Sequence, residues 1–105
     1  MKNINFNKEE KDAIIYVMKF RVESITSDPN WSGYPKNWKN EHYQSLRTSK
    51  WKIEDNKTTF LNSELINMES CLNEYAPTEN YLHATGLKPS RIKNPYLSAL
   101  KNIKN

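Results

Sequence analysis

An apolar stripe at helical spacing constrains the fold most strongly. Its members recur three or four residues apart, in the order Leu61, Leu65, Met68, Leu72 and Tyr75. Side chains with this spacing lie on one face of an α-helix. Asn62 is a capping residue at the start of the stripe, and Pro77 follows its end. The stripe therefore predicts an amphipathic helix that begins near Asn62 and ends before Pro77.

A second amphipathic helix is predicted near the N-terminus. Asn7 and Glu10 have the spacing of a capping box, and acidic residues are frequent in the first turn. Apolar residues then follow helical spacing at Ile14, Val17, Met18 and Ile25. The Asp28-Pro29 pair ends this helix, because the residue before a proline is disfavoured in helical geometry.

The C-terminal part of the chain predicts two shorter helices. The first begins at a Thr78 cap and ends at Thr85, followed by Gly86 in a left-handed turn. The second begins at an Asn94 cap with Pro95 at its first helical position. The buried edge of this last helix is predicted to consist of Tyr96, Leu97, Leu100 and Ile103.

The middle of the chain is richer in helix-breaking residues. An irregular loop is predicted at its start by Pro29, Gly33 and Pro35. A short helix over residues 40–48 follows, with Tyr43 and Leu46 facing inward. This segment therefore begins as a loop and continues as a helix.

Alternating polar and apolar residues then favour a short β-hairpin. Residues 50–54 form its first strand, the Asp55-Asn56 pair its turn and residues 58–60 its second strand. Together the elements predict a mainly α fold, a small bundle of about four helices with an aromatic-rich irregular middle segment. The length corresponds to a single domain over residues 1–105, whose small core leaves homodimerisation open.

Composition indicates a soluble protein of the cytoplasm with no contact to a membrane. Cys71 is the single cysteine, so no disulfide can form within the chain. The longest apolar run, residues 13–18, is far too short to span a membrane, and acidic residues stand where a signal peptide is apolar. Asn, Lys and Ile account for 35 of the 105 residues. Their codons are AT-rich, which indicates a low-GC bacterium, a plasmid or a phage.

The residues that usually carry catalysis are scarce. With only two glycines, Gly33 and Gly86, the chain has no glycine-rich phosphate loop. His42, His83 and Cys71 are too few and too scattered for a zinc site with ordinary ligand spacing. We therefore expect a non-enzymatic protein with no metal and no cofactor.

Charge is distributed in blocks along the chain. Residues 61–80 contain four Glu and no basic residue, whereas residues 81–105 contain five basic residues and no acidic one. Such asymmetry is typical of a surface that binds anions. The alternative is that the acidic helix and the basic tail pair with each other within the chain.

A candidate partner- or nucleotide-binding site combines aromatic and basic residues of the middle segment. It comprises Trp31, Tyr34, Trp38, Lys39, Arg47, Lys50, Trp51 and Lys52. Aromatic faces among cations suit stacked nucleotides, and Trp, Tyr and Arg are also the usual anchors of protein interfaces. The structural alternative is that these rings form the core beneath an otherwise coil-like segment.

The basic tail contains a segment that resembles the turn of a helix-turn-helix DNA-binding motif. In LHATGLKPSRIKN the matching residues are Ala84, Gly86, Leu87 and Ile92. The resemblance implies that Lys88, Ser90, Arg91 and Lys93 face phosphates or base edges. Leu82 departs from the motif where Ala is usual, and Pro95 shortens the helix that would enter the groove. A purely structural turn between two helices explains the same residues.

The chain as a whole resembles the small accessory proteins of phages and prophages of low-GC bacteria. That resemblance implies inhibition or regulation of a host system, including anti-CRISPR and other anti-defence activity. Our leading hypothesis is a binding protein that covers the surface of a host protein. The alternatives are a DNA-binding regulator and a protein that sequesters a nucleotide.

Overall fold

The chain is mainly helical, as the sequence predicts. A computed structural model describes residues 1–76 and 94–105. In chain order the elements are β1 (Lys2–Asn3), α1 (Lys8–Thr26), a 3₁₀ turn (Trp31–Gly33), α2 (Lys36–Trp38), a π-helical turn (Lys39–Tyr43), α3 (Gln44–Glu54), β2 (Thr59–Phe60), α4 (Asn62–Tyr75) and α5 (Pro95–Lys104). Four helices in these described residues, α1, α3, α4 and α5, have ten or more residues. The prediction of about four helices is confirmed.

Helix α1 begins with the predicted capping box. The side-chain oxygen of Asn7 accepts a hydrogen bond from the Glu10 amide at 2.8 Å, and Glu10 Oε1 accepts from the Asn7 amide at 2.9 Å. Two backbone donors that the helix itself cannot satisfy are therefore bonded at its first turn. The helix ends at Thr26, just before the Asp28-Pro29 pair.

The ends of the two later helices differ in how closely they follow the sequence patterns. Asn94 caps α5 as predicted, its Oδ1 accepting from the Tyr96 amide at 3.0 Å, with Pro95 in the first position. The cap of α4 is Leu61, one residue before the predicted Asn62. The prediction that Leu97 belongs to the buried edge of α5 is wrong, because this side chain is 62% exposed.

The predicted β-hairpin is replaced by a different sheet. Residues 50–54 belong to α3, because Leu46 and Ile53 are spaced to bury one helical face. The strand Thr59–Phe60 pairs instead with the N-terminal strand, Lys2 opposite Phe60 and Asn3 opposite Thr59, in antiparallel register. The chain turns between α3 and β2 at Asn56, whose φ of 59° is left-handed.

The hydrophobic core lies where α1, α3, α4 and α5 meet beside the two short strands. Its buried members are Ile4, Phe6, Ala13, Ile14, Val17, Met18, Leu46, Ile53, Phe60, Leu65, Met68, Cys71, Leu72, Tyr96, Ala99 and Ile103. Phe6 and Phe60 pack edge to face, with ring centres 5.9 Å apart. This contact holds the N-terminal segment against β2.

Some predictions fall outside the described residues. They are the helix predicted from Thr78 to Thr85, its Gly86 turn, and the candidate nucleic-acid-binding residues Lys88, Ser90, Arg91 and Lys93. No helix among residues 1–76 and 94–105 is both long enough and apolar enough to cross a membrane.

Candidate partner-binding site

The chain leaves α1 through a turn held by Asp28. One carboxylate oxygen accepts from the Asn30 amide at 2.9 Å, and the other accepts from the Tyr34 hydroxyl. These hydrogen bonds, first from Tyr34 and then from Asn30, lower the pKa of Asp28, because they favour the charged carboxylate. The same bond raises the pKa of Tyr34, since the phenolate would lose it. This hydrogen bond holds the Tyr34 side chain against the turn that follows α1.

A π-helical turn then carries the chain into α3. Residues Lys39–Tyr43 form one wide turn between the short α2 and the longer α3. Single π turns inside helices occur frequently at functional sites. Here the turn places Tyr43, which is buried, beside the rings of the preceding loop.

Four rings of this segment form a compact group, hereafter the aromatic cluster: Trp31, Tyr34, Trp38 and Tyr43. The centre of the Trp31 ring is 4.6 Å from that of Tyr43 and 5.6 Å from that of Tyr34, and Tyr34 is 5.1 Å from Trp38. Interplanar angles between 66° and 89° make these contacts edge to face, the arrangement that aromatic quadrupoles favour. The rings therefore hold the loop in a defined shape.

The aromatic cluster lies outside the main hydrophobic core. None of its four rings belongs to the group of core residues that α1, α3, α4 and α5 bury. Trp31, Tyr34 and Trp38 are only partly buried, so each keeps part of its surface in solvent. A local core beneath the loop, the structural alternative, explains why the rings contact each other. It does not explain why three of them stay partly exposed.

Two predicted cations lie against the aromatic cluster. The ammonium of Lys39 is 5.0 Å from the centre of the Trp31 ring and donates to the Ser32 carbonyl at 3.3 Å. The guanidinium of Arg47 is 5.8 Å from the centre of the Tyr43 ring. Cation–π contacts of this kind hold a charge beside an apolar surface without neutralising it.

The other three predicted residues lie elsewhere on α3. Trp51 is 52% exposed and makes no ring contact with the aromatic cluster. The ammonium of Lys50 is 2.9 Å from Glu54, and that of Lys52 is 2.7 Å from the buried carboxylate of Glu64. The structure therefore brings together Trp31, Tyr34, Trp38, Lys39 and Arg47, and separates Lys50, Trp51 and Lys52 from them.

Lys57 is a residue of interest that was not singled out from the sequence. Its ammonium is 5.8 Å from the centre of the Trp51 ring, and both side chains line a cleft of about 370 Å³. The available signal was the predicted turn at Asp55-Asn56, which returns the chain toward the end of α3. The sequence pattern favours a strand before that turn, and such a strand does not predict a contact between Lys57 and Trp51.

Helix α4, the acidic helix of the sequence, forms ion pairs with three other helices. Glu64 contacts Lys52 of α3, Glu74 contacts Arg21 of α1, and Glu69 lies 3.9 Å from Lys104 of α5. The three glutamates of α4, all among the described residues, therefore pair with cations of the same molecule. Among the residues of the basic tail, Lys104 forms the pairing with the acidic helix that the sequence predicted as an alternative.

The cysteine and the histidines were the remaining candidates for chemistry. Cys71 is fully buried, and burial raises the pKa of its thiol to about 11. The uncharged thiol, a weak nucleophile, is therefore the form present near neutral pH. His42 is exposed, its ring centre 6.0 Å from that of Trp38. In the described part of the chain, no group of three or more His, Cys, Asp or Glu side chains could hold a metal ion.

Comparison of the chain with models of protein families, with curated proteins and with solved structures finds no match in any of the three. The function proposed below therefore rests on the arrangement of the side chains.

Proposed function

We propose that the chain is a non-enzymatic binding protein that attaches to another protein through the aromatic cluster and its two cations. The observation that carries this proposal is the position of Trp31, Tyr34 and Trp38, which pack on one another outside the core and stay partly exposed. Large rings that a protein does not need for its own core are available to a partner.

The chemistry of the cluster indicates the kind of partner. Trp, Tyr and Arg are the residues that contribute most to binding energy at protein interfaces. The rings are already held by edge-to-face contacts and by the Tyr34–Asp28 hydrogen bond, so binding orders few additional side chains. Lys39 and Arg47 add positive charge, which favours an acidic surface on the partner.

The biological setting belongs to the same proposal. We place the protein in the cytoplasm of a bacterial host, encoded by a phage or another mobile element, where it inhibits a host defence or regulatory protein by covering its surface. The support is the high content of Asn, Lys and Ile, whose codons are AT-rich. The mechanism is steric and electrostatic, and it requires no bond to be made or broken.

Quantitative capture from a host lysate tests the proposal. The tagged chain and its Trp38→Ala variant are compared on the same lysate of a low-GC bacterium, and captured proteins are identified by mass spectrometry. Purified binding partners are then titrated against both forms. We expect Trp38→Ala to weaken binding at least tenfold, as removal of a central interface aromatic does. We expect the helical core to be retained, because Trp38 does not belong to it.

Trp51→Ala is the matched control for this experiment. It removes an exposed indole of the same protein that does not contact the aromatic cluster. Unchanged capture by Trp51→Ala together with loss by Trp38→Ala supports the proposal. Equal capture by all three forms, or the absence of any specific partner, contradicts it.

A further inference from the structure

The cleft beside Trp51 has features that the aromatic cluster does not share. It lies between the C-terminal end of α3 and strand β2 and has a volume of about 370 Å³. That volume is within the range of small-ligand sites, roughly 300–1,000 Å³. Trp51 exposes about half of its surface to solvent, although a buried position would stabilise so large a side chain better.

The shape of the cleft is fixed by the turn that forms it. The Lys57 amide donates to the Lys52 carbonyl at 2.8 Å, and the Asp55 amide donates to the Trp51 carbonyl at 2.8 Å. These bonds satisfy two carbonyl groups of the last turn of α3 and so reduce the negative partial charge at this end of the helix. Asn56 has a left-handed backbone conformation, and the Lys11 ammonium of α1 donates a hydrogen bond to its Oδ1 at 2.9 Å.

The described residues that line the cleft include two lysines and no acidic residue. Lys57 presents an ammonium 5.8 Å from the centre of the Trp51 ring, and its pairing with Asp55 at 3.4 Å is half exposed and therefore weak. Thr58 and Thr59 also line the cleft. The Lys52 ammonium is already bonded to Glu64 and to the Thr59 carbonyl, so it stabilises the wall and is not free to bind a ligand.

We propose that this cleft binds a nucleoside phosphate, with the base stacked on Trp51 and the phosphate held by Lys57. An exposed indole beside an ammonium suits a planar base that carries an anion. The ligand is either a free nucleotide or one nucleotide of a single strand. This site is separate from the aromatic cluster, so it does not depend on the function proposed above.

Fluorescence of Trp51 tests the proposal directly. In a variant with Trp31→Phe and Trp38→Phe, Trp51 is the remaining indole, so its emission reports on the cleft alone. Titration with adenosine monophosphate is expected to quench this emission with saturation near 1 mM or below. Lys57→Ala in the same background should weaken binding about fivefold or more. Lys50→Ala is the control, because Lys50 pairs with Glu54 and does not line the cleft.

Separate titrations identify the chemistry and the source of the ligand. Adenosine and inorganic phosphate should each bind at least fivefold more weakly than adenosine monophosphate. Thymidine monophosphate and an eight-nucleotide thymidine oligomer are then compared, and tighter binding of the oligomer assigns the site to a single strand rather than a free nucleotide. Lack of saturable quenching at 10 mM adenosine monophosphate, equal binding of adenosine, or an unchanged affinity in Lys57→Ala overturns the proposal.

Discussion

Glu10 is a single residue that joins the beginning of α1 to α5. One carboxylate oxygen accepts from the Asn7 amide, and the other accepts from the Ser98 hydroxyl and the Asn102 amide nitrogen, each at 2.6 Å. The side chain is only 3% exposed. A buried carboxylate is tolerated when donors surround it, so Glu10 depends on these three groups and they depend on it.

Replacing Glu10 with Ala should lower the free energy of unfolding by about 2–4 kcal/mol, since three donors lose their acceptor and two of them are on another helix. Urea unfolding followed by circular dichroism measures the change. Glu9→Ala is the matched control: it removes an exposed carboxylate from the same turn, with an expected effect below about 0.5 kcal/mol. Similar losses in the two variants would contradict the role assigned to Glu10.

Cys71 makes the stability of the protein sensitive to alkaline pH. Burial raises the pKa of its thiol from 9.0 to about 11, so the folded protein keeps this proton at pH values where the unfolded chain releases it. The stabilisation is fully present below about pH 9 and is lost as the pH rises toward 11. The loss amounts to roughly 2–3 kcal/mol over that interval.

The variant Cys71→Ala isolates this contribution. Other groups titrate in the same range, so the quantity to compare is the difference in unfolding free energy between the wild type and the variant at pH 8 and at pH 10.5. The wild type should lose more stability than the variant between the two values. Parallel loss in both proteins would show that the thiol does not carry the effect.

At the scale of elements, local signals predicted the capped starts of α1 and α5 well, whereas the helix predicted over residues 40–48 lies at Gln44–Glu54 and the long-range pairing was missed. The caps at Asn7 and Asn94 were predictable, because their hydrogen bonds join residues two or three positions apart. The sheet was not, because the partner of Thr59–Phe60 is the N-terminal strand, more than 50 residues away. Alternation over five residues also fits a helix that buries Ile53 and exposes Trp51.

The candidate site shows the same limit. Composition located the aromatic and basic residues, but their grouping depends on the π-helical turn, which no sequence pattern marked, and on the turn at Asn56, which was predicted between two strands and not after a helix. The first joins Tyr43 to Trp31, and the second brings Lys57 to Trp51. The sequence therefore identified which aromatic and basic residues the segment contains. It did not predict that they are divided between the aromatic cluster and the cleft beside Trp51.

Lys52 connects three elements, and its removal should be costly. Its ammonium, in α3, donates to the Thr59 carbonyl of β2 at 3.2 Å and to the buried Glu64 of α4 at 2.7 Å. Lys52→Met leaves that carboxylate buried without its counter-ion. We expect a loss of about 3 kcal/mol in unfolding free energy, measured by urea denaturation at neutral pH.

Lys50→Met provides the comparison for this prediction. Lys50 is two residues away on the same helix, and its pair with Glu54 is an ordinary contact between neighbouring turns of α3. The expected loss is below about 0.5 kcal/mol. A loss in Lys50→Met equal to that in Lys52→Met would mean that the two lysines have the same role, contrary to the structure.

At the scale of the whole molecule, the uneven charge of the sequence is partly balanced by folding. Residues 61–80 have a formal charge of −4 in the sequence. In the structure the glutamates of α4 form ion pairs with cations of α1, α3 and α5, so the acidic residues of α4 hold three other helices against it. The positive charges of the aromatic cluster, Lys39 and Arg47, face rings instead and are not neutralised in this way.

Charge reversal at the end of α5 tests whether this balance matters. Lys104 lies 3.9 Å from Glu69, whereas Lys101, in the same last turn, makes no ion pair within the described residues. Both reversals, Lys104→Glu and Lys101→Glu, oppose the helix dipole alike, so their difference isolates the interaction with α4. At low salt, Lys104→Glu should lose about 0.5–1 kcal/mol more unfolding free energy than Lys101→Glu. The difference should shrink in 1 M salt, where charges are screened beyond about 3 Å, and equal losses at low salt would show that α4 does not attract the tail.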